Sequence, residues 1–307
     1  MNSRMGKVCL AACAVLVAIS SSAKADTILF ATSLNNSELV KVNITTDAVT
    51  VVLHASSLDS IVIDSQGRFI YDESGTSELH RYDPMTLLDT TIASTGLNAP
   101  QDLVLDPGGN SILVSNFAGD NITRTNLTTL TTTTLVPSIP TPEGIAYDNT
   151  GRLFVLAGFG ATAMLYQIDP TTGAIVRMSA AFDPTNSLDG LTFDPFTGLL
   201  YASSKFGNAI YSIDPTTLAT NNVGAIGQPD GLTSDSNGLL YVTSRDDFNI
   251  HSFNVTTQQF TTLTNVPGLD DLAPASGLGS GQAAPEPSTL LLIGCGLTLV
   301  GLRRLKS

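Results

Sequence analysis

The sequence predicts an all-β chain folded as a six-bladed β-propeller closed by its N- and C-terminal strands, with a signal peptide before it and a short transmembrane helix after it. Three observations predict the propeller. A short segment recurs with one fixed polar column, Asp59, Gln101, Glu143, Asp189, Asp230 and Asp270, at spacings of 42, 42, 46, 41 and 40 residues, the period of a four-stranded blade. Each unit holds apolar runs of strand length divided by turn residues, enough for four strands. The first unit also begins with what is elsewhere the second strand, ILFATS, while the last copy, GLDDLAP, is an opening strand with nothing after it. Joining the two completes one blade and removes the open edges of a linear array.

Residues 1–25 read as a secretory signal. Arg4 and Lys7 supply a positive start, Val8 to Ile19 an apolar stretch, and Ala23 and Ala25 the small residues of a cleavage site before Asp26. A lipoprotein reading of Leu10 to Cys13 leaves only a few apolar residues after Lys7. The propeller is expected over 26–274. Within a unit the opening strand runs into a turn led by Asp64, Asp106, Asp148, Asp194 or Asp235, which precedes a glycine and reads as turn chemistry. A second apolar strand follows, then a third such as YSIDPTT from Tyr211, then a Thr-rich turn and a final strand. His80 and His251 share a third-strand column with Val40, Thr123, Tyr166 and Tyr211, and so varied a column reads as packing.

The run 275–284 is a flexible linker in composition. Residues 285–307 combine Pro285, Glu286 and Pro287 with an apolar run and then Arg303, Arg304 and Lys306. A helix over about 288–302 is expected, with the basic end held in the cytoplasm. Its apolar run, Leu290 to Leu302, would span roughly 20 Å against a hydrocarbon core of about 30 Å, which makes it a poor permanent anchor.

Composition narrows the function classes. All three cysteines, Cys9, Cys13 and Cys295, lie in the terminal segments, so the propeller has no disulfide, thiolate metal site or cysteine nucleophile. Between the two terminal segments stand 8 of the 14 basic residues and 26 of the 27 acidic ones, a net charge of −18. Nucleic acid and anionic lipid surfaces would be repelled and divalent cations attracted. Neither GxSxG nor HExxH occurs, and the glycines of Gly158 to Gly160 do not open a helix.

The C-terminal head, helix and basic tail, in that order, resemble the PEP-CTERM sorting signal of Gram-negative bacteria. That resemblance implies export and handling by a membrane-embedded exosortase after signal peptidase, with only transient anchoring in the inner membrane through the C-terminal helix. The rival reading is an ordinary short anchor. LLYVTS at Leu239, IYSIDPTT at Ile210 and the repeated Asp-Gly-Leu resemble YVTN, NHL and SMP-30/gluconolactonase-like six-bladed propellers. In the lactonases of that group a calcium is held at the channel mouth by Glu, Asn and Asp. By type and strand position Glu143, Asn116 and Asp230 correspond here, whereas Ala157 and Ser204 stand where a second Asn would be wanted.

Because the recurring polar residue opens the innermost strand, all six copies converge on one mouth of the channel. Glu143, Asn116, Asp230, Asp189, Asp59 and Asp270 are therefore the candidate metal ligands, with Ca2+ the ion suited to hard oxygens. Two other readings stay open at this stage: residues of blade-connecting turns, with Asp before Gly bonding nearby amides, and a catalytic ion site. Two functions are carried forward. The first is an exported cell-surface or matrix module that binds, without catalysis, an exopolysaccharide or a surface protein. The alternative is a calcium-dependent lactone hydrolase.

Overall fold

The computed structural model describes residues 26–182 and 187–273. Ala23 and Ala25 of the signal, the linker, and Pro285, Glu286, Pro287, Arg303 and Arg304 of the sorting segment lie outside the described residues. Among those described, no helix is long and apolar enough to cross a membrane.

Six four-stranded antiparallel sheets form the molecule. Blade one contributes β1 (Ile28–Ser33), β2 (Glu38–Asn43) and β3 (Ala48–His54), and blade two β4 (Leu58–Ile63), β5 (Phe69–Glu73), β6 (Glu78–Asp83) and β7 (Leu88–Ala93). Blade three is β8 (Pro100–Leu105), β9 (Ser111–Asn116), β10 (Asn121–Asn126) and β11 (Thr132–Val136). Blade four is β12 (Pro142–Tyr147), β13 (Leu153–Ala157), β14 (Met164–Ile168) and β15 (Ile175–Met178). Blade five is β16 (Leu188–Asp194), β17 (Leu199–Ser204), β18 (Ala209–Ile213) and β19 (Thr220–Ala225). Blade six is β20 (Pro229–Ser234), β21 (Leu239–Ser244), β22 (Asn249–Asn254) and β23 (Gln259–Asn265). The last strand, β24 (Leu269–Leu272), pairs with β1 and completes blade one, as the repeat pattern predicts.

The core is a ring rather than a ball. Each blade-to-blade interface carries its own apolar cluster, such as Phe154, Leu156 and Leu165 of blade four against Leu188, Leu191 and Leu200 of blade five. The closing interface is built the same way, with Leu29 and Val40 of blade one packing on Tyr241 and Ile250 of blade six, together with Leu269 and Leu272. Outer strands such as β3 and β19 are largely exposed, and β3 shows Val49 and Val51 to solvent.

The expected turn aspartates behave as such. Asp64 Oδ1 accepts from the amides of Gln66 and Arg68 at 2.8 and 3.0 Å, and Asp148 Oδ1 from those of Thr150 and Arg152 at 2.9 Å each. Each carboxylate also holds its arginine, Arg68 or Arg152, four residues on.

Candidate functional site

Every inner strand carries one extra residue relative to its partner near its start. Leu58 and Ile61 pair with Glu73 and Tyr71, and Pro229 and Leu232 with Ser244 and Val242, so three steps on one strand face two on the other. The same bulge recurs in β8, β12, β16 and β24. A bulge re-aims side chains, and here it turns two consecutive residues toward the channel where plain alternation would present one. The first is the recurring polar residue; the second is Ser60, Asp102, Gly144, Gly190, Gly231 or Asp271.

This corrects the turn reading of Asp-Gly-Leu. Gly144, Gly190 and Gly231 lie within strands, where the next inner strand passes close by. A Cβ on Gly144 would stand 2.3 Å from the carbonyl oxygen of Asp189, and one on Gly190 2.7 Å from that of Asp230. Glycine is required there by the crowding of the axis, not by a turn.

Asp59, Gln101, Glu143, Asp189 and Asp230 meet around a cavity of about 10 Å³, with Asp271 and Asp102 in its wall. A space of that size admits about one water. Asp270 adjoins it, buried, and Gln101 Nε2 donates to Asp59 Oδ2 at 2.6 Å. Five of the six candidate ligands are thus brought together. Asn116 is not: its side-chain nitrogen donates to Asn121 Oδ1 and Thr123 Oγ1 at 3.0 Å each, and its Oδ1 accepts from the Asn98 amide at 3.1 Å. Both ends of that amide are committed inside blade three.

Two cations that the repeat did not reveal enter the ring. Lys205 Nζ bridges Asp189 Oδ2 at 3.0 Å and Asp230 Oδ2 at 2.8 Å. Arg245 Nη1 bridges Asp230 Oδ2 at 3.1 Å and Asp270 Oδ1 at 2.6 Å. Each stands one residue beyond the end of a second strand, β17 or β21, a column otherwise filled by Leu34, Ser74, Phe117 and Gly158. Nothing periodic marks it.

Proton affinities follow from this crowding. Burial, with the Asp189 charge next, pushes Glu143 up to about 10, so it is a neutral acid at physiological pH. Burial and the neighbouring Asp230 carboxylate push Asp189 up to about 7. Asp59 and Asp270 are both raised, first by burial and then by nearby carboxylates, among them Asp59 for Asp270. Burial lowers the affinity of Lys205 for its proton, but Asp189 and Asp230 more than reverse that and hold it charged.

Below the ring, hydroxyls stitch the blades together. Thr32 Oγ1 donates to the Asp59 carbonyl at 2.7 Å, and Ser203 and Thr243 donate to the carbonyls of Asp230 and Asp270. Asp102 accepts from Ser60 Oγ at 3.0 Å and from the Ile145 amide at 2.8 Å, joining blades two, three and four. The channel then widens into a cavity of about 460 Å³ at the far mouth, lined by apolar residues such as Ile63, Leu105, Tyr147 and Phe193.

The calcium set drawn from the lactonase resemblance does not fit these residues. Asn116 is turned into its blade, and two side-chain cations occupy the carboxylate Asp230 that would face the ion. What the arrangement does chemically is hold shared protons and ion pairs across adjacent blades.

No family model matches the sequence, and no curated protein matches it. Solved structures do. A chain from the crystal structure of a nidogen/laminin complex superposes with a TM-score of 0.71 at 16% identity, covering 80% of this chain and 97% of its own. Virginiamycin B lyase from Staphylococcus aureus gives 0.62 at 14% identity, covering 80% and 87%. A streptogramin B lyase gives 0.57 at 14%, covering 69% and 70%. Likeness at such identities establishes architecture and leaves chemistry open. The chain is an all-β six-bladed propeller, similar in fold to a component of a binding complex and to lyases alike.

Proposed function

We propose that this protein is an exported, non-enzymatic binding module of the cell surface or extracellular matrix. The observation that carries this reading is the plugging of the acidic mouth by the chain's own Lys205 and Arg245, which leaves a cavity of about 10 Å³ where a calcium-dependent hydrolase would need an ion and a substrate. Partner recognition then falls to the exposed face loops and to the far mouth, whose mixed apolar and polar lining has room for an inserted group. The ligand class is an exopolysaccharide or a surface protein.

Export rests on the terminal segments: a signal cleaved after Ala25, then exosortase handling near Pro285 to Thr289 in a Gram-negative host. Mass spectrometry of the surface-exposed protein should find Asp26 as the first residue and no Leu290 to Ser307. Retention of that tail would count against sorting.

For the binding role, the purified protein is assayed with a panel of lactones and small esters with and without calcium. It is also titrated against exopolysaccharide from its own host. Saturable polymer binding without turnover is expected. Calcium-dependent turnover would reject the reading in favour of the hydrolase.

A further inference from the structure

We propose that Glu73, Glu78 and His80 in blade two form a binding site for a divalent transition-metal ion, zinc being the best match. Among the described residues they are the one group of three His, Cys, Asp or Glu whose ligand atoms all lie within 4.8 Å of one another. Glu73 ends β5 and Glu78 begins β6, and the two are direct cross-strand partners. Like charges placed opposite each other on a hairpin are destabilising unless something positive joins them. His80 lies two residues after Glu78, hence on the same face.

The second, independent observation is the imidazole itself. Both ring nitrogens of His80 are shut off from solvent and neither makes a hydrogen bond. Buried polar atoms are almost always paired, so two orphans on one ring require an explanation. Nε2 stands 3.6 Å from Glu78 Oε2 and 3.9 Å from Glu73 Oε2, too far for a hydrogen bond to either. Donors bound tetrahedrally to zinc at roughly 2.0–2.2 Å stand about 3.3–3.6 Å from each other, so the two histidine-to-carboxylate distances would need to contract by only a few tenths of an ångström.

The remaining contacts prepare the ring for that role. Nδ1 faces Asp89 Oδ2 at 3.5 Å, and Asp89 is itself held by the Tyr71 hydroxyl at 2.7 Å. Tyr71 also stacks on the imidazole, with centroids 5.3 Å apart and planes 17° from parallel. A carboxylate behind one ring nitrogen keeps the proton there and leaves the lone pair of the other for a metal. Glu73 is fixed by the Ser56 amide at 3.1 Å, while the partly exposed Glu78 gives access from solvent and leaves room for water as a fourth ligand. An imidazole with two carboxylates selects borderline ions over calcium or magnesium, which prefer oxygen alone.

His251 is the internal control. It occupies the same column of blade six, yet its Nε2 meets Asp247 and its Nδ1 meets Thr262 Oγ1, each at 3.3 Å. There the packing reading holds; at His80 carboxylates surround the ring, yet neither nitrogen makes a hydrogen bond.

The test is calorimetry of the full chain, stripped with a chelator, against zinc chloride, with calcium and magnesium chlorides as comparisons. Glu78→Gln and His80→Gln are measured alongside, the first at a partly exposed position where folding is not at stake. The proposal expects a zinc site that calcium and magnesium do not fill, its affinity weakened at least tenfold in both variants, and a zinc-dependent rise in melting temperature that both variants lose. Absence of zinc binding overturns it, as does binding with unchanged stoichiometry and affinity in either variant.

Discussion

The ammonium of Lys205 lies 2.8 Å from the carboxylate of Asp230, tying blade five to blade six at the channel mouth. Both groups are mostly buried, so removing one strands the other. Lys205→Met is expected to destabilise the protein by about 2–4 kcal/mol. Urea denaturation read by fluorescence measures it, and a loss below about 0.5 kcal/mol would mean the pair is solvent-screened.

Removing both cations should convert the mouth into what the chain lacks. The Lys205→Met, Arg245→Met double variant leaves Asp189, Asp230 and Asp270 without a positive partner. It is expected to gain a calcium-dependent thermal shift that the wild type does not show. Differential scanning fluorimetry with and without calcium checks this, and an equal calcium response in both proteins would refute the plugging.

Glu143 predicts a pH dependence. Its folded-state proton affinity lies at about 10 against an ordinary 4.5, so between those values the native state binds a proton that the unfolded chain has released. Stability from this group is full below the lower value and falls as pH rises toward the higher one. Glu143→Gln, a neutral isostere, should remove that decline. The stability of the variant relative to wild type should therefore grow between about pH 5 and about pH 9, by up to about 1.4 kcal/mol per pH unit. Paired unfolding curves across that range would show a constant difference if Glu143 is ionised in the native state.

Crowding at the axis predicts an asymmetry among glycines. Gly144→Ala forces a methyl to within 2.3 Å of a backbone oxygen and should cost about 1–3 kcal/mol or more. Gly67→Ala meets only open space, though at a positive φ, and should cost about 1 kcal/mol. Equal losses in thermal unfolding would argue against the close approach of β12 and β16.

Closure predicts a difference between truncations. Ending the chain at Val266 removes β24, with buried Leu269 and Leu272, and uncovers the edge of β1. Ending it at Ser276 removes no described strand. The first should melt far lower or aggregate, the second near wild type; matching melting temperatures would refute closure.

The blade count, the order of strands and the completion of blade one by β24 were legible in the sequence because they repeat. A period of about 42 residues advertises itself, and so did the convergence of Asp59, Glu143, Asp189, Asp230 and Asp270 on one mouth. Lys205 and Arg245 were not legible, for the complementary reason: they occupy a column that varies from blade to blade. Asn116 was misplaced because strand position alone does not say which way a side chain turns. The bulge that aims Asp102 and Asp271 into the channel adds a residue without changing composition, and the alignment absorbed it silently. His80 read as packing because its column is mixed, and only its distances to Glu73 and Glu78 set it apart from His251.

The bond from the Asp271 amide to Thr32 Oγ1 joins residues 239 positions apart in the chain. Bringing together ends so distant costs roughly 5 kcal/mol of chain entropy, against little for each local hairpin. Blades two to six can therefore assemble in order as the polypeptide emerges, each nucleated by neighbours close in sequence. Blade one cannot: β1 is made first and must wait, edge open, until the last strand arrives. The ring behaves as a latch whose tongue is cast at the end, and its vulnerable interval is the time between the appearance of Ile28 and that of Leu272.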